Sequence, residues 1–123
     1  MEVVRFEAAP GRIAASRHWV VEQARRAGAG TGTQWVLALL TTEAVTNAVE
    51  HGPQDGQVTV EVARGDAGWC VAVTDESPEA PVRLEVDPTA PHGRGVLLID
   101  TLATRWGVQR HGANGKTVWF RVA

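Results

Sequence analysis

Apolar residues recur at helical spacing through the first half of the chain. Pro10 can open a helix that runs to about Ala27, because proline suits the first helical turn, and the glycine-rich stretch 28–32 ends it. Thr33 is the expected N-cap of a second helix, which continues to His51. One side of this second helix is apolar and is formed by Leu37, Ala44, Val45, Ala48 and Val49. That side predicts packing against a sheet.

Alternation of apolar and polar residues dominates the second half and predicts strands. Val58, Val60 and Val62 alternate with more polar residues, and a turn at residues 65–68 returns the chain as a second strand. The strands expected over the whole chain are 3–7, 58–63, 69–74, 106–110 and 117–122. A proline-rich stretch and an apolar helix over 96–103 separate the last two strands from the preceding hairpin.

The order of these elements is β-α-α-β-β, a proline-rich segment, and then α-β-β. Most strands are joined as consecutive hairpins, so the sheet is expected to be mixed and mainly antiparallel. Helices on one face of such a sheet give an α+β two-layer sandwich. The chain has 123 residues and is 44% hydrophobic, which fits a single domain over residues 1–123.

Charge and composition exclude several classes of protein. The formal net charge is −2 and the twelve cations are scattered, so the chain lacks the basic surface of a nucleic-acid-binding protein. No apolar run approaches the length of a membrane span, and the first residues do not resemble a signal peptide. Cys70 is the single cysteine, which excludes a disulfide within the chain. We therefore expect a cytoplasmic protein.

A line of polar residues runs along the second predicted helix. Glu43, Asn47 and His51 are four residues apart, so they lie on one face of that helix. A carboxylate and a carboxamide at this spacing can share a hydrated magnesium ion or a water molecule. Taken alone, the same pattern also fits a solvated helix face.

Asp75 ends a predicted strand in which Val71 and Val73 are apolar. The two-residue period of a strand predicts that Asp75 faces the same buried side as these valines. A buried carboxylate needs a partner, and the amino group of a bound adenine is one candidate. The alternative is an exposed strand end.

Gly93-Arg94-Gly95 precedes the apolar helix and is the next candidate contact to a ligand. Free amides at a helix start attract phosphate, glycines allow close approach, and Arg94 can add a charged contact. A plain turn between a loop and a helix gives the same pattern. The sequence alone leaves both interpretations open.

Gly115-Lys116-Thr117 has the ending of a Walker A motif but not its spacing. The required first glycine is replaced by Arg110, and a strand follows instead of a helix. We expect Lys116 to be a turn residue of the final hairpin and Thr117 to point toward a nucleotide pocket.

Taken in order, these segments resemble the GHKL ATPases. Within that superfamily the chain is similar to the small anti-sigma-factor serine kinases and their stand-alone relatives, over about residues 12–122. The most specific segment is Thr-Glu-Ala-Val-Thr-Asn-Ala-Val-Glu-His-Gly at residues 42–52. The resemblance implies a Bergerat sandwich that holds ATP between its helical layer and a mobile lid.

The resemblance also implies a role for each candidate residue. Glu43 is the general base, Asn47 holds Mg²⁺ against the phosphates of ATP, and His51 lines the phosphate side. Asp75 reads the adenine amino group, Gly93, Arg94 and Gly95 form the phosphate-facing hinge of the lid, and Thr117 supports the adenine end.

One segment departs from the family pattern. The family has Asp-x-Gly-x-Gly at the adenine-reading aspartate, whereas Asp75 is followed by Glu76-Ser77-Pro78-Glu79. Side chains therefore stand where the backbone would approach the nucleotide, and proline stiffens the loop. The chain is more similar to relatives with an altered loop than to kinases with both glycines.

Two functions remain open from the sequence. The first is an ATP-binding serine/threonine kinase that phosphorylates a STAS-type anti-anti-sigma partner, with binding of a sigma factor as a further expectation. The second is a non-catalytic ATP-binding or pseudo-ATPase regulator that acts by protein-protein contact. Glu43 and Asn47 favour the first. A detached sensor histidine kinase domain is less favoured, because no phosphoacceptor helix pair precedes the sheet. The resemblance also implies a homodimer.

Overall fold

A computed structural model describes residues 1–77 and 94–123. The elements follow the order that the sequence predicts. They are β1 (Glu2–Glu7), α1 (Gly11–Arg26), α2 (Thr31–His51), β2 (Gln57–Gly65), β3 (Gly68–Asp75), α3 (Arg94–Leu102), β4 (Arg105–Arg110), a 3₁₀ turn (Gly112–Asn114) and β5 (Lys116–Val122). In the described part of the chain, no helix is long and apolar enough to cross a membrane.

The five strands form one sheet in the order β1-β2-β3-β5-β4. The predicted α+β sandwich is confirmed. The sheet was expected to be mixed and mainly antiparallel, and all four described strand pairings are antiparallel. Strand β5 enters between β3 and β4, which places Val73 beside Val118 and Asp75 beside Lys116. This insertion places the start of the last strand beside β3, the central strand of the sheet.

The core lies between the inner face of the sheet and the two long helices. Alternate residues of β2, β3 and β5 are buried, as their two-residue period requires. The helix α2 buries Leu37, Leu40, Thr41, Ala44, Val45 and Ala48. Full burial of a valine or leucine side chain stabilises the fold by roughly 1.5–3 kcal/mol. The apolar side of α2 is thereby fixed against the sheet, and its polar side is turned away.

The start of α2 differs from the sequence prediction. The N-cap is Gly30 rather than Thr33, because the helix already begins at Thr31. The Gly30 carbonyl accepts the first helical hydrogen bond from the Gln34 amide at 2.9 Å. The Thr33 hydroxyl instead lies 3.4 Å from the Ala123 carbonyl oxygen, which tethers the helix start to the chain end. At the end of α1, Gly28 has φ +94 and forms the expected left-handed cap.

Candidate functional site

The predicted polar residues of α2 keep part of their surface accessible to solvent. Glu43 and Asn47 are half-buried, and His51 is exposed at the last residue of the helix. Their four-residue spacing places them on one face, as predicted. Gly52 then ends the helix next to strand β3, since a Cβ added there would lie 3.6 Å from the Asp75 Cβ. The structure thus brings the residue that ends α2 close to Asp75.

The environment of Glu43 changes its acidity. Burial raises the pKa of the Glu43 carboxyl above its ordinary value, and the negative charge of Glu50 raises the pKa further. A carboxylate with a raised pKa is a stronger base at neutral pH. This property suits the general-base role that the resemblance implies for Glu43.

The same shift in pKa predicts a pH-dependent change in stability. A group with a raised folded-state pKa contributes stability below its unfolded pKa, and this contribution is lost as pH rises through the folded pKa. At pH 7 the charged Glu43 is therefore unfavourable to the fold. We expect Glu43→Gln to raise the melting temperature at pH 7 but not near pH 4. Melting curves of both proteins at the two pH values test this, and an equal shift at both would contradict it.

Asp75 is almost fully buried, with 3% of its surface exposed, on the side that its strand register predicts. Its Oδ2 atom accepts a hydrogen bond from the Lys116 ammonium at 2.6 Å. Its Oδ1 atom accepts one from the Ser77 amide at 2.8 Å. The partner that a buried carboxylate needs is therefore supplied by the protein itself.

The prediction that Lys116 is a turn residue is wrong. Lys116 is the first residue of β5 and is 1% exposed, and it faces inward with Val118 and Phe120. The physical reason is the strand register, because residues two apart share a face of the sheet. Counting back by twos from Val122 through these residues would have placed Lys116 on the inner face.

The structure does not bring Thr117 to Asp75. Thr117 points to the outer face of the sheet, where its Oγ1 atom lies 2.7 Å from Thr74 Oγ1 and 2.8 Å from His111 Nε2. The expected orientation toward the pocket is therefore not found. Lys116 occupies the inner position that the sequence assigned to Thr117, since adjacent strand residues face opposite sides.

The segment after Asp75 supplies a hydrogen bond despite its missing glycines. Ser77 is buried, and its contact to Asp75 uses the backbone amide, which any residue except proline provides. The Glu76 carboxylate accepts a hydrogen bond from the Gln57 amide, so the end of β3 is joined to the start of β2. Ser77 can therefore hold the Asp75 side chain in place although the family pattern has glycine at this position.

The predicted lid hinge lies partly outside the described residues. Gly93 falls in the undescribed segment, whereas Arg94 and Gly95 are the first two residues of α3. The helix therefore begins where the sequence placed a phosphate-facing turn. Free amides at such a start favour anions.

Gly115 fixes the approach of β5 to Asp75. Its φ is +126, and a Cβ added there would lie 1.9 Å from the Asp75 carbonyl oxygen. We expect Gly115→Ala to destabilise the fold by at least about 2 kcal/mol, because both the backbone angle and the contact become unfavourable. Gly112→Ala is the matched control: its φ is +62 and a Cβ there meets nothing within 4 Å. Chemical denaturation measures both, and equal losses would contradict this account.

Comparison with known sequences identifies the family to which this chain belongs. The model of the family described as the histidine kinase-like ATPase domain matches residues 6–122. The chain belongs to this family. The match confirms the GHKL resemblance, and it spans the α2 face, Asp75 and Lys116.

Individual proteins are similar to this chain in sequence or in fold. An uncharacterised protein of Streptomyces coelicolor is 38% identical over 74 residues, which are 58% of this chain and 70% of that protein. The histidine kinase domain of the Erythrobacter litoralis EL346 blue-light-activated histidine kinase superposes with a TM-score of 0.58 at 21% identity, over 89% of this chain and 60% of that one. The catalytic domain of histidine kinase ThkA gives 0.60 at 15% identity, over 99% and 95%. The structural matches show a shared fold.

A histidine kinase-like ATPase domain implies a nucleotide and usually Mg²⁺, and the α2 face fits this ion. Within residues 1–77 and 94–123, no group of three or more His, Cys, Asp or Glu side chains could hold a metal. Mg²⁺ does not need one, because it keeps several waters and binds through one or two protein oxygens plus substrate phosphates. The half-buried Asn47 can supply such an oxygen.

Proposed function

We propose that this protein is an ATP-binding regulatory serine/threonine kinase of the anti-sigma-factor type. The observation that carries the proposal is the four-residue spacing of the half-buried Glu43 and Asn47 on one face of α2, within a histidine kinase-like ATPase domain. A base and a metal-binding amide one helical turn apart would supply proton acceptance and charge neutralisation for phosphoryl transfer.

Each candidate residue would have its own role in phosphoryl transfer. The Asn47 carboxamide would hold Mg²⁺, which neutralises charge on the phosphates of ATP. Glu43 would accept the proton of the attacking hydroxyl, for which its raised pKa suits it. His51 would contact the phosphate side, and the amides at the start of α3, with Arg94, would hold the phosphates. Positioning and charge neutralisation make up most of catalysis in this reaction class.

The proposed partner is a STAS-type anti-anti-sigma protein, phosphorylated on serine or threonine in the cytoplasm. Support comes from the resemblance of residues 42–52 to the anti-sigma-factor kinases. Binding of a sigma factor and formation of a homodimer belong to the same proposal.

A second candidate function is supported by one observation. The Asp75 carboxylate already receives hydrogen bonds from Lys116 and Ser77. A protein whose base-reading carboxylate is occupied can act as a pseudo-ATPase regulator that works by protein-protein contact. The two candidate functions differ in whether the protein transfers a phosphoryl group from ATP to a partner.

Transfer of labelled phosphate separates the candidates. The purified chain is incubated with Mg²⁺, γ-labelled ATP and STAS-type proteins from the same genome, each with a variant whose candidate serine or threonine is alanine. The kinase proposal expects label on one partner and none on its alanine variant. Stable complex formation without label, across all partners, would favour the non-catalytic regulator.

A further inference from the structure

Both side chains of the Asp75–Lys116 ion pair are shielded from water. The two side chains are 3% and 1% exposed, and the nitrogen–oxygen distance is 2.6 Å. The pairing is built into the sheet, because Asp75 and Lys116 are direct partners in the β3–β5 register. Both residues are anchored at strand ends, and Gly115 packs against the Asp75 backbone.

This pair changes what Asp75 can offer to a ligand. One carboxylate oxygen receives the Ser77 amide and the other receives the Lys116 ammonium. An amino group on a purine base is a neutral donor, whereas the ammonium is a charged one and forms the stronger hydrogen bond. Displacing the ammonium would leave a cation unpaired in a buried position, which is strongly unfavourable. A base amino group therefore competes poorly for Asp75.

Building on the proposed nucleotide site, we propose that Lys116 sets its base selectivity. The ammonium occupies the carboxylate that would otherwise accept the adenine amino group. Nucleoside triphosphates are then held mainly by their phosphates and Mg²⁺, with little preference between adenine and 6-oxopurine bases. The oxo group of hypoxanthine or guanine, which an unpaired carboxylate would repel, is tolerated because Lys116 neutralises Asp75.

The first test needs only the unaltered protein. Calorimetric titration with the Mg²⁺ complexes of ATP, inosine triphosphate and GTP gives three dissociation constants. We expect them to agree within about threefold, since the loss of a single charge-assisted hydrogen bond would change affinity by roughly tenfold or more. ATP binding more than about tenfold tighter than inosine triphosphate would overturn the inference but leave the proposed function intact. Absence of binding by all three would overturn both.

Three variants test the role of Lys116 itself. Lys116→Met keeps the unbranched stem and removes the charge, so the ratio of inosine triphosphate to ATP dissociation constants should rise by about tenfold. Lys116→Arg keeps the cation and should leave the ratio unchanged. The double variant Asp75→Asn with Lys116→Met has no buried charge and should also lack selectivity, because a carboxamide can accept or donate. A ratio in the folded Met variant equal to that of the unaltered protein would overturn the proposal.

Circular dichroism establishes whether each variant is folded at the temperature of titration. If Lys116→Met does not fold, the ratio in the unaltered protein and in Lys116→Arg decides the question. Equal affinities in both support the inference, and selective ATP binding in either contradicts it.

Discussion

Replacement of Lys116 by methionine is expected to lower the free energy of unfolding by about 3–5 kcal/mol. The loss arises because the Asp75 carboxyl group, which is 3% exposed, loses its ammonium partner and retains only the Ser77 amide as a described partner. For a domain of this size the melting temperature should fall by roughly 10 °C or more. Urea denaturation of the two proteins at pH 7 gives the difference directly.

An exposed ion pair of equal length provides the control. Arg25 and Glu22 also approach to 2.6 Å, but the arginine side chain is 58% exposed. Arg25→Met should therefore have a much smaller effect, because water already solvates both charges. The double variant Asp75→Asn with Lys116→Met should recover most of the lost stability, since it removes the uncompensated charge. Equal effects of Lys116→Met and Arg25→Met would contradict the structural role of the buried pair.

Replacement of Glu43 by glutamine should reduce phosphoryl transfer by roughly 10²–10⁴-fold, the usual contribution of a general base. The affinity for Mg²⁺-ATP should change little, because the binding roles belong to other residues. The transfer rate should also fall as pH drops through the Glu43 pKa, which burial and Glu50 raise above the ordinary range. Single-turnover transfer to the partner, measured between pH 4 and pH 8, tests both statements.

Glu50→Gln is the matched control for the Glu43 experiment. Glu50 is an exposed acidic residue on the same helix, and its charge is one cause of the raised Glu43 pKa. This variant should keep transfer activity at neutral pH and shift the acid limb of the rate profile to lower pH. Unchanged transfer in Glu43→Gln would refute Glu43 as the base.

Local periodicity made most of the fold predictable. The apolar side of α2 and the alternating valines of β2 and β3 are properties of short sequence windows, and the structure places them in the core. The three residues of the α2 face were predictable for the same reason. The approach of Gly52 to Asp75 could not come from spacing within one helix.

The Asp75–Lys116 pair was missed because it depends on a long-range register. The two residues are 41 positions apart and meet only because β5 inserts between β3 and β4. Fully buried lysines are rare, and a lysine after glycine reads more readily as part of a turn. The misplaced role of Thr117 followed from the same error, since a shift of one residue along a strand exchanges its faces.

The most direct test of the nucleotide site is calorimetric titration with ATP in the presence and absence of Mg²⁺. The account predicts Mg²⁺-dependent binding that is lost in Asn47→Ala. Asn114→Ala is the matched control, because Asn114 is the only other asparagine and is exposed in the 3₁₀ turn. It should bind as the unaltered protein does. Absence of binding at millimolar ATP, or binding that survives in Asn47→Ala, would contradict the assignment of the α2 face as the nucleotide site.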